Sequence, residues 1–423
     1  MSIPLGLSLY RLNLAKGINP LKQLPPQQPA TIFKATDEDP VMATRKLLSG
    51  LGGIESLIDK DDIVILKPNS QWWNQGMTNT DVMAEFIEQV LQIKGFAGEV
   101  IIADNHQAQT DNARGWNTEH RNGKFNLNEL AEYFQNRGYR NVTKYHWHPA
   151  GPNPTPLQFD GHGNNIIEGP EQGEGYIWPR DLSYTCPHGN KTILAYPVFR
   201  SSYSGITIDL KNGAFKDNNY TGQPVKFINF AALNHHGPYA GATASIKNYM
   251  GVVDMSCGYP GPTPAGTYNT HHIGASDLFK LMSWALLKTD LVKRLPWFYD
   301  VYQHPSVFRF RYTGGVLGSF MKNIRRADLN IITAIRVGWA SRIKPEYAFT
   351  ANTVLASTDP VALDYWATAN ILLPGTKKAT DNEELIGLHD PDIVDGPLRM
   401  FIDECQRELG GTTNPDLIEI MES

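Results

Sequence analysis

The sequence predicts an α/β protein with a mostly parallel sheet, helices on both faces, irregular insertions and a helical excursion. Short aliphatic runs, such as residues 99–103 and 226–232, have the continuous apolar character of strands that are covered on both faces. Amphipathic stretches separate several of these runs, as crossover helices do. With 423 residues and 41% hydrophobic content, the chain can also build a large core.

In its first third, the chain alternates between strand and helix patterns. An extended lead-in over residues 1–34 precedes Asp39 and Pro40, which have the pattern of a helix N-cap followed by proline at the first helical position. The segments that then alternate are the strand 62–66, the helix 80–93, the strand 99–103, the helix 128–137 and the strand 141–147. This order predicts parallel strands joined by right-handed crossovers.

The rest of the chain alternates less regularly between strand and helix patterns. An irregular insertion covers residues 149–190, and a helical excursion with an aromatic-rich end covers residues 276–312. Further strands are expected at residues 192–198, 205–209, 226–232, 329–335 and 353–356. Asp359 and Pro360 repeat the N-cap and proline pattern. We therefore expect one α/β domain over residues 35–375 and a C-terminal helical segment over residues 376–423.

Composition excludes several classes of protein. A net charge of -5 argues against a nucleic-acid-binding surface. The three cysteines, Cys186, Cys257 and Cys405, have no paired spacing that would hold an iron-sulfur cluster or a zinc ribbon. The sequence also lacks the glycine-rich motifs of Rossmann dinucleotide sites and P-loops. No secretory leader or apolar run of about 20 residues is present, so a cytoplasmic protein without a membrane span is expected.

The candidate site is centred on residues 226–251. A strand there is followed by the adjacent histidines His235 and His236, and then by Lys247 and Asn248. In open α/β sheets ligands bind outside the carboxyl ends of the strands. Lys67 and Asp104 also follow predicted strands, so we expect these side chains at the same edge of the sheet.

Two lysines in one crevice favour an anionic ligand. Lys67 and Lys247 would bind a carboxylate or phosphate, and the expected further ligand contacts are Asn69, Asn248, Thr243 and Asp104. The alternatives are that Lys67 reaches solvent and that Asn248 only caps a turn. Asp364 is expected to be a buried carboxylate with catalytic importance, and Lys67 or Lys247 is its candidate partner.

Histidines also suggest a metal site. Neutral imidazole is the commonest protein ligand of zinc and similar ions. Adjacent residues of an extended chain point to opposite sides, so each histidine pair would offer one ligand. The candidate ligands of a divalent transition metal are His235, His236, His271, His272 and His106. The alternatives are acid/base catalysis, for which His236 is the candidate, and ordinary loop residues.

Four segments resemble a known family. They are Ile-Leu-Lys-Pro-Asn at 65–69, Gly-Glu-Val-Ile-Ile-Ala-Asp at 98–104, Thr-Ala-Ser-Ile-Lys-Asn-Tyr-Met-Gly at 243–251 and Leu-Ala-Ser-Thr-Asp-Pro-Val-Ala-Leu-Asp at 355–364. In this order they resemble the blocks of the domain of unknown function 362 family of bacteria and archaea. Where other members have a Lys-Thr-His-like segment, this chain has Asn234, His235 and His236. The resemblance therefore implies that His236 corresponds to the family histidine.

Two classes of function remain open. In the first, the chain is an enzyme that acts on a small anionic metabolite, with lysines that bind the anion and histidines that act as acid/base groups or metal ligands. In the second, it is a non-catalytic accessory protein that holds a metal or an anion. A homo-oligomer or protein contact through residues 278–299 is a further expectation.

Overall fold

The structure is a computed structural model that describes residues 24–105, 115–147, 166–253, 266–288 and 309–423. Its strands are β1 (Ala30–Thr36), β2 (Ile63–Lys67), β3 (Glu99–Asp104), β4 (Val142–His146), β5 (Ile166–Ile167), β6 (Gly175–Ile177), β7 (Ser183–Thr185), β8 (Lys191–Ile193), β9 (Tyr196–Arg200), β10 (Thr207–Asp209), β11 (Gly213–Lys216), β12 (Asn219–Tyr220), β13 (Val225–Ala231), β14 (Asn234–Gly237), β15 (Gly241–Thr243), β16 (Leu329–Gly338), β17 (Ala348–Ser357) and β18 (Ile418–Glu422).

Several helices begin after a residue whose side chain caps the first turn. The side chain of Asn79 accepts from the backbone amides of Asp81 and Val82, and Asp359 accepts from those of Val361 and Ala362, as the sequence predicts for Asp359. The α-helices are α1 (Pro40–Gly50), α2 (Thr80–Leu91), α3 (Leu127–Asn136), α4 (Ser245–Asn248), α5 (Asp277–Lys288), α6 (Arg311–Asn323), α7 (Pro360–Ala367), α8 (Leu373–Ala379), α9 (Glu383–Leu388) and α10 (Pro397–Leu409). A π-helical turn, Thr368–Leu372, joins α7 to α8.

A large, mostly parallel sheet organises the chain in the order β18-β1-β17-β16-β13-β2-β3-β4. Strands β16, β13, β2, β3 and β4 run parallel, and β17 is antiparallel to both of its neighbours. The hairpin of β14 and β15 extends the sheet where β14 pairs with the end of β16. The predicted α/β class with a mostly parallel sheet is confirmed.

Both faces of this sheet are covered, which explains the continuous apolar runs. Residues of β2 alternate between the two sides: Val64 and Leu66 pack with α1, α2 and α3, whereas Ile63 and Ile65 belong to the core on the other face. That second core contains residues of α6, α7 and α10 together with a smaller sheet in the order β12-β11-β10-β9-β6-β5. The insertion expected to be irregular therefore includes, in its described part, strands of this smaller sheet.

Three segments differ from the sequence expectations. Residues 30–34, expected in the extended lead-in, begin β1, which lies inside the sheet between β17 and β18. Residues 418–422, expected in a helical segment, form β18, which pairs in parallel with β1. Residues 192–198, expected as one strand, contribute to β8 and β9, which lie in different sheets. These short strands are defined by distant partners, so local patterns do not identify them.

In the described parts of the chain, no helix has both the length and the apolar character needed to cross a bilayer. The predicted contact surface 278–299 is described only in part. Leu278 and Leu281 on α5 are exposed, and residues 289–299 lie outside the described residues.

Candidate functional site

The carboxyl ends of neighbouring parallel strands meet at a narrow polar pocket. Lys67 ends β2, Asp104 ends β3, and the chain leaves β13 to form the β14–β15 hairpin and helix α4. Parallel register places these ends at the same edge of the sheet. The residues that line the pocket are Lys67, Asn69, Gln71, Trp72, Asp104, His236, Thr243, Lys247 and Asn248. Seven residues chosen from the sequence as catalytic or ligand-binding are thus brought together: Lys67, Asn69, Asp104, His236, Thr243, Lys247 and Asn248.

A buried ion pair forms the floor of the pocket. The Nζ of Lys67 lies 2.9 Å from Oδ1 of Asp104, and both side chains are almost fully buried. The same ammonium donates to the carbonyl oxygen of Pro68 at 2.7 Å and to Oδ1 of Asn248 at 3.0 Å. Asp104 also accepts from the backbone amide and hydroxyl of Ser70 at 2.9 and 2.6 Å.

These contacts decide the charge state of the pair. Burial is the largest influence on the pKa of Lys67 and lowers it, while the carboxylate of Asp104 opposes this shift. Three acceptors around the ammonium and several donors around the carboxylate favour the ionised forms of both groups. Because all three N–H bonds of Lys67 are used, Lys67 is a fixed structural cation.

A glycine makes room for this pair. A Cβ atom on Gly251 would lie 1.9 Å from Oδ1 of Asp104 and 2.4 Å from Nζ of Lys67. The backbone of Gly251 also accepts a hydrogen bond from the amide of Asn105 at 3.1 Å. Residue 251 must therefore be glycine for the backbone to approach the ion pair so closely.

Asn248 connects α4 to the strand ends. Its Nδ2 donates to Oδ1 of Asn229 at 2.8 Å, to the carbonyl oxygen of Phe230 at 3.0 Å and to that of Lys67 at 3.2 Å. Its Oδ1 accepts from Lys67. The alternative that Asn248 only caps a turn is wrong, since its side chain bonds to two strands and holds α4 over the pocket.

Asp364 holds the other end of the same short helix. Its carboxylate accepts from the backbone amides of Ser245 and Ile246 at 2.8 and 2.9 Å, and from the Ser245 hydroxyl. Burial raises the pKa of Asp364 to about 7, while these hydrogen bonds oppose the shift. The expected pairing of Asp364 with Lys67 or Lys247 is wrong, because the free amides at the start of α4 provide its partners. Asp364 therefore positions Lys247 from outside the pocket.

Lys247 differs from Lys67. It is 4% exposed, and among the residues that the structure describes no carboxylate or hydrogen-bond acceptor pairs with its ammonium. Its Nζ lies 5.4 Å from the centre of the Phe310 ring. Burial, together with the positive charges of Arg342 and Lys67, lowers the pKa of Lys247 to about 7. The pocket thus contains a buried amine without a counter-charge from the described part of the chain.

The predicted histidines divide into separate environments. His236 and His271 each lie with their ring centres 5.8 Å from that of Phe310, and the Nδ1 of His236 is buried without a hydrogen-bond partner among the described residues. Burial and the charge of Lys247 hold the pKa of both rings well below the usual range. The Nδ1 of His272 lies 2.8 Å from Oδ1 of Asn269, and His272 is not among the residues that line the pocket.

His235 belongs to a chain of hydrogen bonds that the sequence did not indicate. Its Nδ1 lies 2.8 Å from Nε2 of His389, whose Nδ1 lies 2.8 Å from Oγ1 of Thr376. The Thr376 hydroxyl donates to the carbonyl oxygen of Leu372 at 2.8 Å, so it accepts from His389. His389 then accepts from His235, which places the proton of His235 on Nδ1.

The metal hypothesis finds no support in this geometry. Within the described ranges, no three side chains of His, Cys, Asp or Glu are arranged to hold a metal ion. Of the four described histidines, His236 and His271 lie beside Phe310, whereas Nδ1 of His235 and Nδ1 of His272 lie within hydrogen-bond distance of His389 and Asn269. His106, the fifth candidate, lies outside the described residues.

Arg342 is a site residue that the sequence analysis missed. Its guanidinium carbon lies 4.5 Å from the centre of the Trp72 ring, which lines the pocket, and its charge lowers the pKa of Lys247 and of His236. Its position shortly after β16, a parallel neighbour of β13, is the feature of the sequence that could have marked it as a candidate site residue. Strand 329–335 was expected to end before the true end of β16 at Gly338, so the residues beyond it were not considered as site residues.

Fold and pocket together define an α/β protein with a polar, cation-rich pocket at the carboxyl edge of a mostly parallel sheet. Residues 223–369 match the model of the family described as Domain of unknown function (DUF362), so this part of the chain is similar to that family. The predicted resemblance is confirmed, and the matched range contains two of its four segments, 243–251 and 355–364. Comparison with curated proteins and with solved structures finds no match.

Proposed function

We propose that the protein is an enzyme that acts on a small anionic metabolite with a carboxylate or phosphate group. The observation that carries this proposal is the buried Lys247, which has no carboxylate partner among the described residues. A buried charge is costly unless it is paired, and an anion in the pocket would supply the missing partner.

The charges around Lys247 support an anion. Asp104 is the carboxylate that lines the pocket, and Lys67 already neutralises it. Arg342 adds a second cation near Lys247, and its charge acts on Lys247 and His236 together. Among the described residues, positive charges therefore outnumber negative charges around the pocket, which suits a carboxylate or a phosphate.

His236 supports a catalytic role. Its Nδ1 is buried beside the pocket without a hydrogen-bond partner among the described residues. A bound anion would offset the positive charge of Lys247, which is one cause of the low pKa of His236. The pKa of the imidazole would then rise toward the range that is useful for proton transfer. In an accessory protein the same pocket would hold the anion without turnover.

Ligand-induced thermal stabilisation tests the anion site, with inorganic phosphate and lactate as probes. We expect Lys247→Met to weaken binding by about 10- to 100-fold, since a charge-assisted hydrogen bond contributes about 1.5–3 kcal/mol. Lys226→Met is the matched control, because Lys226 lies at the opposite end of β13 and is partly exposed.

The outcomes separate the two functions. Equal stabilisation of wild type and Lys247→Met by both probes contradicts an anion site at Lys247. Stabilisation that depends on Lys247, followed by turnover of a 2-hydroxy or phosphorylated acid in a substrate screen, supports the enzyme. Lys247-dependent stabilisation without turnover across the screen supports the accessory protein.

A further inference from the structure

We propose that Lys247 is a nucleophile that forms an imine with the carbonyl carbon of a small oxo acid, while Arg342 provides the charge for the acid group. This inference rests on the proposed anion site and specifies its substrate class. It is carried by the different surroundings of the two pocket lysines.

The two pocket lysines differ in the hydrogen bonds that their side chains make. Each N–H of Lys67 has an acceptor: Asp104, Pro68 and Asn248. Lys67 is therefore held as an ammonium and cannot attack a carbonyl. Lys247 has no such acceptor among the described residues, so its nitrogen is not fixed by a hydrogen bond or an ion pair.

The surroundings of Lys247 favour the neutral amine. Its side chain is 4% exposed, and Arg342 and Lys67 bring positive charge to the same region. Removal from water and neighbouring cations are the two conditions that activate imine-forming lysines. With a pKa of about 7, Lys247 has on the order of 10³-fold more free amine at neutral pH than an ordinary exposed lysine.

Histidines beside the Phe310 ring can transfer the protons that imine formation requires. His236 and His271 both contact Phe310, the ring beside Lys247 Nζ. The buried Nδ1 of His236 has no other hydrogen-bond partner in the described part of the chain. His236 is thus the candidate to carry a proton from the attacking nitrogen to the departing oxygen.

The step balances without an added oxidant or reductant. The lone pair of the neutral Lys247 amine forms a C–N bond with the carbonyl carbon, and the carbonyl π electrons move to oxygen. A proton passes from nitrogen to oxygen to give a carbinolamine. Loss of the second nitrogen proton together with hydroxide releases one water and leaves the C=N bond.

The pocket limits the substrate to a small molecule. All of the residues that line it, except Trp72, have polar side chains. Arg342 packs over the ring of Trp72, which lines the pocket, and so brings its charge next to the pocket. A carbonyl beside Lys247 and an acid group toward Arg342 describe a short 2-oxo acid.

Reductive trapping tests this proposal. The full chain is incubated with pyruvate or glyoxylate and sodium cyanoborohydride, and peptide mass mapping locates the reduced adduct. We expect one adduct, on Lys247, whose yield rises as the pH is raised through about 7. Lactate, which has no ketone or aldehyde carbonyl, should give none. Among the described residues, the titratable and charged groups around Lys247 are Lys67, Asp104, His236, His271 and Arg342, of which Arg342 and Lys67 lower its pKa.

Two variants show whether the adduct requires the amine of Lys247. Lys247→Arg keeps the positive charge but cannot form an imine, so it should lose the adduct while phosphate still stabilises it. Lys226→Met should be labelled like wild type. Labelling spread over exposed lysines, and unchanged in Lys247→Arg, would overturn the proposal. Phosphate stabilisation without an adduct would overturn the imine and leave the anion site standing, whereas absence of both would contradict both.

Discussion

Replacement of Lys67 by methionine is expected to destabilise the protein strongly. Methionine fills a similar volume but leaves the carboxylate of Asp104, which is 2% exposed, without a counter-charge. It also removes the donor to Pro68 and Asn248. Loss of one member of a buried ion pair costs about 3–5 kcal/mol, because the remaining charge stays buried. The three donors that Asp104 keeps from Ser70 and Asn105 hold the expected loss within this range.

Urea unfolding of wild type and Lys67→Met, followed by fluorescence and circular dichroism, measures this loss. Arg121→Met is the control, since it breaks an exposed ion pair with Glu129 and should cost less than about 1 kcal/mol. The double variant Lys67→Met/Asp104→Leu should lose less than the sum of its two single changes, because neither charge is left alone. A cost for Lys67→Met no larger than that of Arg121→Met would refute the buried, charged pair.

Three further results are expected. Gly251→Ala should destabilise the protein by at least about 1–3 kcal/mol in urea unfolding, because the new Cβ would separate Asp104 from its partner; unchanged stability would contradict the contact. Between pH 7 and 10.5 the unfolded chain binds the proton that native Lys247 has released, so stability should rise by up to about 1.4 kcal/mol per pH unit. Lys247→Met should lack this contribution, and an identical pH dependence of urea unfolding in both proteins would exclude it. Burial lowers the pKa of His235 to about 4, so nitrogen NMR should find a neutral ring at pH 6 with its proton on Nδ1, whereas an imidazolium would contradict the hydrogen bond to His389.

Local patterns were sufficient to predict the edge of the sheet at which the pocket lies. Aliphatic runs identify covered strands without knowledge of their neighbours, and Lys67 and Asp104 follow two such runs directly. Parallel strands share one carboxyl edge, so the meeting of these residues with His236 followed from strand direction alone. Lys247 and Asn248 were expected there because they follow the strand 226–232 and its histidines, and one of the family segments also contains them.

The hydrogen-bond and packing partners of the site residues could not be predicted in the same way. Asp364 was paired with a lysine because a buried carboxylate needs a donor, yet the donors are backbone amides, which no sequence pattern displays. The bond between His235 and His389 joins residues 154 positions apart. Arg342 follows β16 by a few residues, and its approach to Trp72 depends on how the chain turns after the strand. Each of these contacts is set by tertiary packing.

The order of the strands in the sheet has a consequence for how the chain folds while it is being synthesised. Strand β2 needs β13 as its neighbour, and β1 lies between β17 and β18, where Lys34 and Glu422 pair across 388 residues. While the ribosome makes the middle of the chain, β2 has a free edge, and β1 has no partner until β17 emerges. Long-range pairing of this kind slows folding and leaves apolar strand edges exposed to other chains. We therefore expect the pocket, whose floor is in place only after β13 and α4 join β2 and β3, to form late and to make recovery of native protein sensitive to expression temperature and chaperone supply.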